Sequence, residues 1–333
     1  MLFRLQEGIA MKMHSHKHIL IYDRLWWIQG QRAQLLQKHH PHLEIMSYRD
    51  FMNLIKHKGA NRINQQYDVV STLGLWSAER FIQRNVHVHS SVVGSYSYVA
   101  KNQHYFREWS NEMRPNYKYM KQVIQKIDRV GAVNPKLAAT IKKYCPNKQV
   151  HYIKPFVNTN KFKPLRSANK KDKSTFTIGW VGNSDKRSKN YHTIYQSIKN
   201  HFKNDPKVRF KEATKNTRIS GKDMPQFYNA IDLLLVTGVN EGIPNPAMEA
   251  YACGIPILGT NIGIIKNCAP PNAKHLILNS NNPREFISKI NNLKSKKFSQ
   301  TLKNEIRKSM ENHWSIQHNI NDWLETLFNV GGE

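Results

Sequence analysis

Between Asn240 and Pro256 the chain reads NEGIPNPAMEAYACGIP, with Glu241 and Glu249 eight positions apart and a Gly-Ile-Pro-Asn-Pro bend between them. Asn245 is placed to cap a helix that Pro246 opens, so Glu249 falls about one turn inside it and Glu241 in the loop before. Gly242 and the Ile243-Pro244 bend let the backbone approach a ligand closely with its N–H groups turned outward. A helix N-terminus after such a loop favours an anion, and a diphosphate suits it. Carboxylates beside a phosphate repel it unless they turn to neutral hydroxyls. Glu241 and Glu249 are therefore expected to hold hydroxyl groups on either side of the diphosphate, one set from a sugar and one from a ribose. An acid and nucleophile pair for glycoside hydrolysis is excluded, because those carboxyls must face each other across one bond at roughly 5–10 Å.

The chain has 333 residues, which suits two domains. Its 51 lysines and arginines against 23 acids give a net charge of +28. Such a field attracts polyanions, whether nucleic acid, anionic lipid or phosphate-rich substrate. The plain alternative is a merely basic, solvated surface. Through Pro164, 26 basic residues stand against 9 acids, so most of the excess lies in the first half. Cys145, Cys253 and Cys268 are widely spaced and form no CxxC, which argues for a reducing compartment and against disulfides or a zinc module. The N-terminal stretch lacks an apolar h-region, and no window approaches the ~18 apolar residues of a membrane span. The expectation is a cytoplasmic protein, resting on the inner face of a membrane or on nucleic acid if the charge is put to use.

Strand-like and helix-like runs alternate around these residues. HILIY (18–22), YDVVST (67–72) and NVHVH (85–89) read as strands, with a helix near Gln31 to His39 and another at Asn134 to Tyr144. SANKKDKS (167–174) is the best linker. After it come TFTIGWVG, a helix from about Asn190 to His201, VRFKEA, a short helix capped by Asp223, DLLLVTG, the glutamate motif, PILGT, HLILN and a helix from Pro283. Alternation of this kind builds βαβ units on parallel sheets. Two such sheets place the ligand in the cleft between them, at the strands' C-terminal ends.

EGIPNPAMEAYACGIPILGT resembles the E-x7-E signature of retaining glycosyltransferases of family 4. The resemblance runs over most of the chain. VHYIKPFVNTNKFKP is similar to the segment that ends that family's first domain, IGWVGNSDKRSKN to the first strand and loop of its donor domain, and DMPQFYNAIDLLLV to the helix and strand before the glutamates. HWSIQHNINDWLETL resembles the C-terminal helix that crosses back. The resemblance implies an α/β, GT-B fold: two Rossmann-like domains with parallel sheets facing a central cleft. Residues 1–164 would bind the acceptor, 165–312 the nucleotide sugar, and 313–333 would form the returning helix.

It also implies roles. Glu241 would hold donor-sugar hydroxyls and Glu249 the ribose, while the backbone of Gly242, Ile243, Pro244 and Asn245 meets the sugar and distal phosphate. Lys189 matches the diphosphate lysine. The matching arginine is missing, since Asn183 follows Gly182, and Lys186 or Arg187 is left to supply the second charge. His89 matches a histidine beside the donor sugar, with His87 as the alternative. Gly30 would be a close-approach glycine near the diphosphate, and Trp26 and Trp27 would face the acceptor.

The stretch from Ser95 to Lys121 interleaves aromatics with Lys101, Arg107, Lys118 and Lys121. That pattern suits nucleic-acid stacking, a membrane interface or an ordinary amphipathic helix pair. No Asp-x-Asp signature is present, and HSHKH and KHHPH lack metal-ligand spacing, so neither a metal nor a cofactor is expected beyond the nucleotide sugar as co-substrate. The implied activity is retaining, metal-independent transfer to an envelope glycan, a lipid-linked saccharide or another polyanionic acceptor. Two alternatives stand beside it: a transferase acting on hydroxymethylated bases in DNA, and a nucleic-acid-binding protein with a degenerate donor site.

Overall fold

The computed structural model describes residues 17–165, 174–217 and 219–330. The linker expected at 167–174 and the histidines at 14 and 16 lie outside the described residues, apart from Ser174. The first sheet contains β1 (His18–Tyr22), β2 (Leu43–Ser47), β3 (Val69–Thr72), β4 (Ser90–Val93), β5 (Arg129–Ala132) and β6 (Gln149–Tyr152), in the order β2-β1-β3-β4-β5-β6. The second contains β7 (Phe176–Val181), β8 (Val208–Ala213), β9 (Leu233–Val236), β10 (Ile257–Thr260) and β11 (Ile277–Leu278), in the order β11-β10-β9-β7-β8. Every pairing is parallel. The strands need helical crossovers for that, and the chain supplies one after almost every strand.

Two differences from the sequence reading matter for function. β2 was hidden in PHLEIMSY, whose mixed polarity suits an edge strand. The strand expected at Asn85–His89 starts only at Ser90, because the buried run is SSVV rather than VHVH. Serines are poor strand signals, yet the Ser71 and Ser90 hydroxyls sit 2.7 Å apart in the core. Both donate to the Leu327 carbonyl at 2.9 Å.

Leu327 belongs to the C-terminal helix Ile316–Phe328, which buries Trp323 and Leu327 against the first sheet. The chain therefore returns to the first domain after the Gln300–His313 helix. Each sheet has its own apolar cluster. A third runs through the boundary, joining Leu20, Ala33 and Val133 to Ile243, Met248 and Trp323. Among the described residues no helix is long and apolar enough to cross a membrane.

Candidate active site

β9 is a buried LLLV run whose C-terminal end delivers Thr237 to Glu241 to the cleft. The helix that follows spans Asn245–Ala252, and Pro244, not Asn245, occupies its N-cap, with no side-chain cap. Asn245 N donates to Ile243 O at 3.0 Å and Ala247 N to Pro244 O at 2.8 Å. Pro246 has no N–H to offer. The Asn245 and Ala247 amides are thus used within the turn, so of the stretch expected to meet a phosphate Asn245 has its N–H engaged. Asn245 turns its Oδ1 to Arg32 Nη2 at 3.4 Å instead of capping. Gly242 is required by packing: a Cβ there would strike the Gly94 carbonyl of the first domain. Its own carbonyl accepts from Asn134 Nδ2 at 3.2 Å.

Lys189 and Glu241 meet. Thr237 holds the Lys189 loop against the end of β9, its hydroxyl donating to Lys189 O at 2.7 Å and accepting from Trp180 Nε1 at 3.1 Å. Lys189 Nζ then lies 2.5 Å from Glu241 Oε1, with side chains only 18% and 9% exposed. The hollow they share with Trp180, Gly238 and Pro244 is about 10 Å³, room for no more than one water. Gly182 packs on the Trp180 ring. Asn183, Lys186 and Arg187 are exposed. Arg187 reaches across to the first domain, where its Nη1 donates to Tyr105 Oη at 3.0 Å.

Glu249 opens to a different space. Its Oε2 accepts from Tyr228 Oη at 2.6 Å, and it lines a cleft cavity of about 460 Å³. The opposite wall is the Ile28–His39 helix of the first domain, and the Phe156–Phe162 segment forms the floor. Burial pushes the Glu249 carboxyl up to about 7, against the Tyr228 hydrogen bond and the Lys161 charge. The two glutamates thus flank the helix start as the spacing predicts, but the Lys189 pair closes one side of it.

Two residues in the cleft were not found from the sequence. Glu108, 5% exposed, comes from the first domain. Its Oε1 accepts from Tyr96 Oη at 2.7 Å, and its Oε2 from Gly263 N at 2.8 Å and Glu241 N at 3.2 Å. Asn240 Nδ2 adds a bond to Phe106 O at 3.0 Å. Burial pushes the Glu108 carboxyl up to about 7, opposed by the hydrogen bonds from Gly263, Tyr96 and Glu241 and by the Lys136 charge. A carboxylate of the chain itself therefore holds the Glu241 amide, next to the backbone that the sequence reading gave to a ligand.

Arg32 is 7% exposed and stacks on Trp323 at 4.9 Å and Phe156 at 5.5 Å. Burial pulls its pKa down to about 10, and no described carboxylate offsets that. REWSNEM and QGQRAQ carry no local mark of either role. The only hint is an arginine on the inward side of a helix otherwise rich in glutamine.

Other expected site residues stand elsewhere. His89 precedes β4, so it occupies the N-terminal edge of the sheet, opposite the cleft. Its Nδ1 accepts from Val70 N at 3.1 Å, its ring stacks on His87 at 4.1 Å, and His87 pairs with Asp128 at 3.0 Å. Neither histidine reaches the donor side, because the strand begins one residue after them; Gly94 and Ser95 hold the cleft end. Gly30 is packed under the Arg24–Leu25 backbone, where a Cβ would meet Leu25 Cα at 2.5 Å. It shapes the loop and does not face a ligand.

Trp26 and Trp27 are 70% and 49% exposed, with Arg24 over both rings at 5.9 and 4.7 Å. Lys101, Arg107, Lys118 and Lys121 are exposed, and Arg107 pairs with Glu112 at 3.2 Å. Tyr96, Phe106 and Tyr119 between them are buried core rather than a stacking face. His18 and His40 share a buried 2.8 Å hydrogen bond, with His18 stacked on Phe328 and His40 edge-on to it.

Residues 159–296 match the family model of group 1 glycosyl transferases. No curated protein sequence matches the chain. The structure is similar to HepE from Anabaena in complex with UDP and glucose, at TM-score 0.68 and 12% identity, over 95% of this chain and 100% of that one. It is similar to sucrose-phosphate synthase from Thermosynechococcus elongatus at TM-score 0.67 and 13% identity, over 92% and 97% of the two chains. TarM from S. aureus, in complex with Fondaparinux, alpha-GlcNAc-glycerol and UDP, matches at TM-score 0.59 and 14% identity, over 78% of this chain and 55% of that one. At such identities the likeness speaks for the fold. The fold is thus of the GT-B type, and residues 159–296 carry the match to group 1 glycosyl transferases.

Proposed function

We propose that the protein moves a sugar from a nucleotide-sugar donor to a glycan or other anionic acceptor, with retention of configuration and without a metal ion. The observation that carries this is the placement of Lys189, Glu241 and Glu249 around one strand end and helix start inside the glycosyltransferase domain. Their E-x7-E spacing, as in the retaining enzymes of family 4, supports it.

Donor entry separates Lys189 from Glu241. The carboxylate then accepts from sugar hydroxyls, and the ammonium faces the diphosphate. The bond between the anomeric carbon and the diphosphate oxygen breaks. Lys189 stabilises the growing negative charge more in the transition state than before it. The acceptor hydroxyl enters on the same face and passes its proton to the departing phosphate oxygen. Glu249 holds the ribose.

The HepE and TarM complexes both contain UDP, which makes UDP-sugars the first donors to try. For the acceptor, Trp26, Trp27 and Trp76 are exposed around a hollow of about 730 Å³ that Arg24 and Arg49 also line. Aromatic faces beside cations suit a saccharide with anionic groups or a headgroup layer.

A screen of nucleotide sugars for hydrolysis and transfer, with and without chelator, tests the reading, and the product anomer is read by NMR. An inverted product, or activity that a chelator abolishes and metal restores, would overturn the mechanism.

A further inference from the structure

Arg32 sits in the cleft as a buried guanidinium with no carboxylate paired to it among the described residues, and that is an expensive state for a charge. Among the described residues its one hydrogen bond is the long contact from Nη2 to Asn245 Oδ1 at 3.4 Å. The Trp323 and Phe156 rings lie 4.9 and 5.5 Å from its guanidinium carbon. Arg32 also forms part of the wall of two cavities, of about 460 and 230 Å³, on either side of the Asn245 contact. The larger has the size of a small-molecule site. Its charged lining is Arg32, Lys38 and Lys161 against Glu249 alone, so it favours an anion.

The donor-side loop, by contrast, lacks a second inward cation: Asn183 is neutral, Lys186 is exposed, and Arg187 is turned to Tyr105. We propose that Arg32, reaching in from the first domain, binds a phosphate of the donor diphosphate and supplies the positive charge that the donor-side loop lacks. This rests on the reading of Glu249 as the ribose ligand. A guanidinium packed against two rings and left with N–H groups to offer is suited to phosphate oxygens, which it meets in paired fashion. Because the arginine belongs to the first domain and Glu249 to the second, the diphosphate would tie the domains together.

The test compares wild type with Arg32→Met and Arg32→Lys. Calorimetry measures binding of whichever of UDP, GDP, ADP and TDP the wild type holds most tightly, of its nucleoside, and of inorganic phosphate. Arg32→Met should weaken the diphosphate by about tenfold to a hundredfold, the effect of losing a hydrogen bond to a charged group, and leave the nucleoside within about twofold. Arg32→Lys should recover part of the loss.

Thermal melts guard against misfolding. Without ligand, Arg32→Met should melt no lower than wild type, since it removes an unpaired buried charge, while the rise in Tm on adding nucleotide shrinks. A purely structural arginine predicts the reverse: a lower ligand-free Tm and unchanged nucleotide affinity. That result, or equal losses for nucleotide and nucleoside, overturns the proposal. Loss of inorganic phosphate binding with nucleotide affinity intact would assign the site to a phosphate on the acceptor and also overturn it. Wild type that binds no nucleotide at all overturns the donor reading itself.

Discussion

Lys189 Nζ and Glu241 Oε1 stand 2.5 Å apart with little space around them, so each neutralises the other before any ligand arrives. Removing one partner of a buried pair strands the other charge, which costs about 3–5 kcal/mol. Lys189→Met should therefore lower Tm markedly, and adding Glu241→Gln should restore most of it. Turnover should not follow. Losing a cation aimed at the leaving group costs about 10²–10³ in kcat, so the double variant should be stable and nearly inactive. Melts and initial rates on the three variants check this. A stable single variant with wild-type turnover would detach the pair from the reaction.

Glu108 should matter through Glu241. Its carboxylate fixes the amides of Glu241 and Gly263, two positions 133 and 155 residues away along the chain. Gly263 has a φ of +55°, and a Cβ there would meet Gly242 O at 2.7 Å, so these loops have little freedom to adjust. Glu108→Ala should lower kcat by about 10²-fold, the scale of a small misplacement. Glu108→Gln, whose oxygen can still accept both amides, should stay close to wild type. Hydrogen exchange at the Glu241 and Gly263 amides should speed up in the alanine variant only.

The same buried acids set a pH dependence. Glu108 and Glu249 are both raised to about 7 by burial. Between roughly pH 4.5 and 7 the folded protein keeps protons that the unfolded chain has lost, so this contribution to stability falls as pH rises through that window. Asp185 and Asp205, lowered first by hydrogen bonds from Lys215 and Lys294, act in the opposite sense at lower pH. The Tm of Glu249→Gln should change less between pH 5 and 8 than that of wild type. An identical slope would show that Glu249 titrates normally.

What was legible in the sequence was local. Glu241, Glu249 and the kink between them sit within one strand, loop and helix start, and Lys189 in the loop after β7, so spacing alone places them near one site. Asn134 caps the Pro135–Tyr144 helix through Leu137 N at 2.7 Å, as its position before Pro135 suggests. The cap expected at Asn245 went to Pro244 because an arginine from the other domain competes for the asparagine. His89 was misplaced because alternating VHVH imitates a half-buried strand, while SSVV gains its burial from serines satisfied by a helix 237 residues on. Glu108 and Arg32 were invisible for the same reason: their partners lie across the domain boundary, and nothing within a ten-residue window records them.

His89→Ala should leave transfer within about twofold of wild type, since the side chain is at the far edge of the first sheet. Ligand atoms of His87, His89 and Asp128 do lie within 4.8 Å of one another. Zinc or nickel taken up there would be remote from the reaction. Chelation should then leave most activity intact, and His89→Ala should lower metal uptake without changing kcat. A drop in kcat of tenfold or more in His89→Ala would return the histidine to the donor side.

The acceptor should be met by the first domain, where 26 basic residues stand against 9 acids through Pro164. One diphosphate needs only a few cations, so donor binding does not require this excess. Trp26, at 70%, is the most exposed of the described large apolar side chains, and Trp27, at 49%, stands next to it beside Arg24 and within reach of Trp76. Trp26→Ala with Trp27→Ala should raise the acceptor KM while leaving nucleotide affinity unchanged, because neither ring touches the Glu249 cavity. Neutralising the exposed Lys101, Arg107, Lys118 and Lys121 should weaken binding to an anionic partner in a salt-dependent way. On anionic vesicles each engaged cation is worth ~1 kcal/mol. On duplex DNA the log–log salt slope should be near −0.9 per neutralised phosphate. Sedimentation with vesicles and titration with DNA across salt concentrations separate the two surfaces. Salt-insensitive use of a small neutral acceptor, equal in wild type and in the neutralised variant, would reduce the charge to a solvated surface with no part in recognition.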